Sequence, residues 1–167
     1  MSDITIRRAG PEDAAVLLAL IRELAEYEKL AHQVVGTEAA LAAHLHPDAK
    51  PGCGAFLAET EAGDTAGFAL YYWSYSTFLT GWGIYLEDLF VRESHRGQGI
   101  GLQLLSRVAQ ETLEQRGERL DWQVLDWNAP SIAFYESLGA RMLGEWEPMR
   151  LEGDALAGLA SRYSGTI

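Results

Sequence analysis

The chain has 167 residues, 48% hydrophobic and 22% charged, enough to bury one core without disulfide or metal staples. A net charge of −11 excludes the basic face that a nucleic-acid partner needs and suits a cationic substrate drawn in by the field. Cys53 is the single cysteine and the four histidines are scattered, so neither a disulfide nor a metal site is expected.

No run approaches the ~20 apolar residues that span a bilayer, so no membrane partner is expected. Met1-Ser2-Asp3 carries an acid where a leader would be basic, which reads as cytoplasmic. In chain order, residues 4–7 alternate as a short strand, and Gly10-Pro11-Glu12-Asp13 supplies a helix start. Leu17, Leu20, Ile21, Leu24 and Ala25 then repeat at helical spacing, and this helix should fade near Leu30. Thr37 caps a second helix through Leu45, and a strand at 55–59 turns through Glu61-Ala62-Gly63-Asp64 into another at 66–74. After a loop containing Gly81 and Gly83, a strand at 84–91 runs into Arg96-Gly97-Gln98-Gly99-Ile100-Gly101. A long helix carries the stripe Leu105, Val108, Ala109, Thr112 and Leu113 up to Gly117, the expected residue just past its end. A strand at 120–124, a helix at 132–138 stopped by Gly139, and a final strand at 142–151 complete the pattern. The expectation is one mixed α/β (α+β) domain over 1–167, with a central, mostly antiparallel twisted sheet flanked by helices.

Three glycines at alternate positions, where a strand meets a helix N-terminus, let backbone N–H groups converge on an anion. This is a pyrophosphate cradle. A dinucleotide fingerprint would need its third glycine one place later, at Leu102, and a Walker loop would need a Lys-Ser or Lys-Thr pair after the glycines. Coenzyme A fits best among phosphate-bearing ligands.

The run from Arg96 to Gly101 resembles the Arg/Gln-x-x-Gly-x-Gly/Ala signature of the GNAT N-acetyltransferase superfamily. The segments Ile21-Arg22-Glu23-Leu24-Ala25-Glu26-Tyr27-Glu28-Lys29-Leu30, Tyr85-Leu86-Glu87-Asp88-Leu89-Phe90-Val91 and Val124-Leu125-Asp126-Trp127-Asn128, with Phe134-Tyr135 and Leu138-Gly139-Ala140, closely resemble the diamine acetyltransferases, which act on spermidine, spermine or thialysine. The resemblance covers nearly the whole chain. It implies the GNAT fold, acetyl-CoA as cosubstrate, a small amine as acceptor and a homodimer. It also implies cofactor contacts from Leu89, Phe90, Val91, Arg96, Gly97, Gln98, Gly99, Ile100, Gly101, Leu102, Asn128 and Ser131, and amine contacts from Tyr27, Glu28 and Asp88.

An amine attacks a thioester only as the free base, so a group must accept its proton. By the resemblance that base is Glu87, at the end of the strand feeding the glycine loop. Its neighbour Asp88 should face the other way unless a bulge intervenes, and which of the two faces the pocket stays open. Tyr135, by the same resemblance, is the acid that protonates the departing thiolate. Asn128 and Ser131 flank a helix start as caps or as cofactor contacts. Glu26 and Glu28 diverge on their helix, and Glu28 is the favoured one. Trp73, Trp82 and Trp127 are candidate walls of an amine tunnel. Ser76 stands where the polyamine enzymes carry an acid, which predicts a short lysine-like amine over a long polyamine. The competing readings are an acetyl-CoA-binding sensor or scaffold and a protein N-acetyltransferase.

Overall fold

The computed structural model describes residues 4–163; Met1-Ser2-Asp3, whose acid was read above as cytoplasmic, lie outside the described residues. Two compact units meet at Gln123 and Val124. The first holds β1 (Ile4–Arg8), α1 (Ala14–Tyr27), α2 (Glu38–Leu45), β2 (Gly54–Thr60), β3 (Thr65–Ser76), β4 (Gly81–Val91), α3 (Ile100–Glu114) and β5 (Leu120–Trp122). The strands form one sheet in the order β1-β2-β3-β4-β5, antiparallel except for the parallel pair β4–β5. This is the mixed α/β fold expected from the sequence. The second unit holds α4 (Ala129–Ser137) and α5 (Gly153–Ala160).

Strand register assigns side chains to the two faces of the sheet, because directly paired residues point the same way. Leu57, Phe68, Leu70 and Phe90 pack with Leu17, Leu20 and Leu24 of α1 in one core. The other face carries Tyr71, whose hydroxyl accepts from Arg8, while a second nitrogen of Arg8 donates to Glu111 of α3. The Arg8 and Arg107 guanidinium groups both pack on Phe56, 5.1 and 4.6 Å from its ring centre. Glu111 is therefore buried as an ion-paired residue. Leu113, assigned to the buried stripe from periodicity, is instead 73% exposed.

The capping chemistry of the first unit is local and legible. Thr37 accepts from the Ala40 N–H at the start of α2. Asp13 accepts from the Gly10 N–H and pairs with Arg7 at 2.8 Å, fixing the turn into α1.

Four expectations need correction. Gly81 and Gly83 belong to β4, which pairs with β3 as far as Ser76↔Gly81. The residue past the end of α3 with positive φ is Arg116 (+61°) rather than Gly117. Gly117 is glycine because a Cβ there would come within 2.8 Å of the Thr112 side chain. The strand expected at 142–151 is absent among the described residues: a turn brings the Trp146 N–H to the Leu143 carbonyl, and Pro148 has no N–H to give a ladder. The helix α5 was missed because Gly153 and Gly158 mask its alanine and leucine content.

Candidate active site

A β-bulge organises the site. Tyr71 pairs with Leu86 and Leu70 with Asp88, which leaves Glu87 as the extra residue on β4. A bulge of this kind brings two consecutive side chains toward one face. Asp88 therefore shares the face of Leu70, Tyr72 and Tyr85. The charge of Glu87 adds to burial in raising the pKa of Asp88, Tyr72 and Tyr85. The alternation that would separate the two acids is cancelled at the position that matters.

Asp88 is partly buried whereas Glu87 is exposed. Burial first, then the charges of Glu87 and Glu28, push the Asp88 carboxyl up to about 7. Burial also raises Glu28, which follows the last residue of α1. The charges of Glu28 and Glu87 thus act on Asp88, which register places on the α1 side of the sheet. Tyr72 and Tyr85 stack with ring centres 5.1 Å apart, and burial and neighbouring charges push the Tyr85 phenol up to about 12. Sequence reasoning missed this pair; the one signal for it was register, which a single strand does not disclose. Trp73 and Trp82 pair with Ile84 and Tyr75 on the opposite face, so strand parity removes them from a tunnel lined by Asp88. Ser76 closes the β3–β4 hairpin by accepting from the Leu79 N–H.

β5 pairs with Ile84, Tyr85 and Leu86 only. Beyond Leu86, at the bulge, no described strand lies along that edge of β4, which frees the backbone of Leu89, Phe90 and Val91 on that side for an extended ligand. The Phe90 side chain is in the core, so Phe90 can offer only its backbone there. β4 then leads through a short 3₁₀ turn at Glu93–His95 to the glycine loop. Gly97 and Gly99 have φ of +73° and +78°, and a Cβ on either would meet nothing within 4 Å. The loop is exposed and leads directly into the N-terminus of α3, whose first-turn N–H groups have no intrahelical acceptor. Ile100 is buried under it, and Leu102 is 44% exposed; Gln98 is also exposed. These features fit a diphosphate.

Arg96 folds back from this loop. Its Nε donates to the Val91 carbonyl at 3.0 Å, and its guanidinium lies 4.8 Å from the centre of the Tyr27 ring. An open cleft of about 740 Å³ runs beside it, lined by Glu23, Glu26, Tyr27, Phe90, Arg92 and Ser94 among others. Arg92 is occupied by Glu23 and the Thr65 carbonyl.

In the second unit, Asn128 caps α4 by accepting from the Ser131 N–H at 3.3 Å. Tyr135 sits on α4 with its ring centre 5.3 Å from that of Phe134.

A glycine-rich loop at a helix N-terminus, joined along β4 to an aspartate that two other acids act on, is an arrangement suited to group transfer. The model of the acetyltransferase (GNAT) family matches residues 20–140, and the chain belongs to that family. Thialysine N-epsilon-acetyltransferase from Sus scrofa is 39% identical over 175 residues, covering 97% of this chain and all of the relative. L-ornithine N5-acetyltransferase from Arabidopsis thaliana is 33% identical, covering 90% of this chain and 85% of its own. Among solved structures, an integron cassette protein from the V. cholerae mobile metagenome superposes with a TM-score of 0.77 at 31% identity, covering 96% of this chain and 98% of that one. The chain is an N-acetyltransferase that acts on amines, and its family generally uses acetyl-CoA. No described helix is long and apolar enough to cross a membrane.

Proposed function

We propose that the chain transfers the acetyl group of acetyl-CoA to the side-chain amine of a short basic amino acid such as thialysine or ornithine. The observation that supports this reading is the bulge that turns Asp88 to the α1 side of the sheet where β4 loses its β5 partner, under the charges of Glu87 and Glu28 and on the strand that leads to the glycine loop. Two of the named relatives act on amino acids with a terminal amine. Ser76, uncharged and occupied in a hairpin turn, adds no carboxylate for the distal ammonium groups of a long polyamine, which disfavours polyamines most.

In this reading the resemblance-based roles of the two acids are exchanged. Asp88, with its carboxyl near 7, has the pKa that suits a general base at neutral pH, whereas Glu87 supplies the charge that raises it. Glu28 attracts the incoming ammonium. Asp88 accepts a proton from that ammonium and the free amine attacks the thioester carbonyl; as the C–S bond breaks, the Tyr135 hydroxyl, in the role the resemblance gives it, donates a proton to the departing thiolate, and the second proton of the attacking nitrogen restores the phenol while Asp88 releases its own to solvent. The backbone of residues 89–91 and the N–H groups of the glycine loop hold the cosubstrate in line. Asn128 and Ser131, whose bond fixes the start of α4, keep the cofactor contacts that the resemblance implies.

Steady-state release of coenzyme A with thialysine, ornithine, spermidine, spermine and an N-terminal peptide amine, each supplied alone, tests the reading. The highest kcat/KM is expected for the amino acids. Turnover confined to the peptide would favour protein acetylation, and binding without any turnover would favour a sensor.

A further inference from the structure

We propose that Tyr27 is a positioning residue that couples the cofactor loop to the amine pocket: its ring seats Arg96, and through the last turn of α1 that contact holds Glu28 toward Asp88. The inference rests on the acetyl-CoA reading above and adds a link between its two subsites. By resemblance Tyr27 would belong to the amine side, yet its ring lies under the guanidinium of the residue that opens the glycine loop. Arg96 is held twice, by this ring and by the Val91 carbonyl at 3.0 Å, so it ties the end of β4 to the end of α1.

The end of α1 is itself strained. Lys29 adopts φ of +62°, a conformation that favours glycine. The Leu30 N–H reaches the Ala25 carbonyl at 2.7 Å and the Lys29 N–H reaches the Glu26 carbonyl at 3.1 Å, the paired bonds of a left-handed helix termination. A lysine stays in this conformation only where surrounding contacts over-determine the turn. Tyr27 and Glu28 are the two residues that lead into that turn, and Tyr27 contacts Arg96 at the start of the loop. An anion on the glycine loop would hold Arg96 in place, and Arg96 would hold Tyr27 and with it the direction of Glu28. Coupling of this kind is reciprocal between the two ligands.

The test measures coenzyme A affinity by calorimetry and amine KM by steady-state kinetics in the native protein, Tyr27→Leu, Tyr27→Phe and Arg96→Met. Tyr27→Leu is expected to raise both the coenzyme A Kd and the amine KM by about three- to tenfold, the range of one partly exposed cation–π contact, with kcat changed less. Tyr27→Phe keeps the ring and should restore coenzyme A affinity to within about twofold of native. In the Arg96→Met background, Tyr27→Leu should have no further effect on that affinity. If Tyr27→Leu moves only the amine KM, or if Tyr27→Phe behaves like Tyr27→Leu, the hydroxyl contacts the amine and the coupling is wrong. A native protein that fails to bind coenzyme A at all would overturn the cofactor reading and the coupling with it; native binding unchanged in Tyr27→Leu would overturn the coupling alone.

Discussion

Replacing Asp88 by Asn separates the cost of the buried acid from its use. An aspartate ordinarily titrates near ~3.9, and in the folded chain Asp88 is pushed up to about 7 by burial and by Glu87 and Glu28. Between these values the folded state holds a proton that the unfolded chain has released, so folding stability falls as pH rises through this window and levels off above about 7. At roughly 1.4 kcal/mol per tenfold, the ionised acid costs the folded protein on the order of 2–4 kcal/mol above that pH. Asn keeps the shape and removes the charge. Urea unfolding should therefore find Asp88→Asn more stable than native at pH 8 by about that amount, with the gap falling to less than half at pH 5 and vanishing below about 4. The same variant should lose about 10²–10⁴-fold in kcat/KM, and native kcat/KM should rise with pH through about 7 as Asp88 ionises. A gap of the same size at both pH values would refute the desolvated acid, and near-native turnover would refute Asp88 as the base.

The glycine loop gives a paired test. Gly99→Ala puts a side chain at φ of +78°, a strain of about 1–2 kcal/mol; a free loop that relaxes to relieve it must restore it on binding, so acetyl-CoA affinity should fall by up to about 5- to 30-fold. Gly101→Ala, inside the helix and 3.8 Å from Val91, should bind within about threefold of native; calorimetry on both folded variants decides, and equal affinities would remove the loop from the site. Tyr135→Phe keeps the ring against Phe134 and should lower kcat by about 10²–10⁴-fold with little change in stability, whereas full activity under rate-limiting chemistry would leave Tyr135 a packing residue.

What the sequence discloses and what it conceals divide along the range of the forces involved. The stripe Leu17, Leu20, Leu24, the Thr37 cap and the Gly97–Gly99 corner depend on neighbours a few residues away, and each is where periodicity and capping rules put it. The bulge at Glu87 depends on which residue of β3 faces which residue of β4, and no local rule reads that pairing. The same dependence hid the stacking of Tyr72 on Tyr85 and sent Trp73 and Trp82 to the wrong face. Glu111 broke the apolar stripe of α3 because Arg8, from β1, neutralises it together with Arg107 one turn earlier on the same helix. Residues 142–151 alternate well enough for a strand, but alternation without a ladder partner forms none, and Met142, Trp146 and Met149 are exposed.

The central claim is that a short basic amino acid receives the acetyl group on its side-chain amine. The most direct measurement gives the protein limiting acetyl-CoA with thialysine, ornithine, spermidine and spermine at equal concentrations and identifies the acetylated products by mass spectrometry with fragmentation. Acetyl should accumulate on the terminal nitrogen of the amino acids, with the polyamines in the minority. Acetyl mainly on spermidine or spermine, or on the α-amine of the amino acids, would contradict the account.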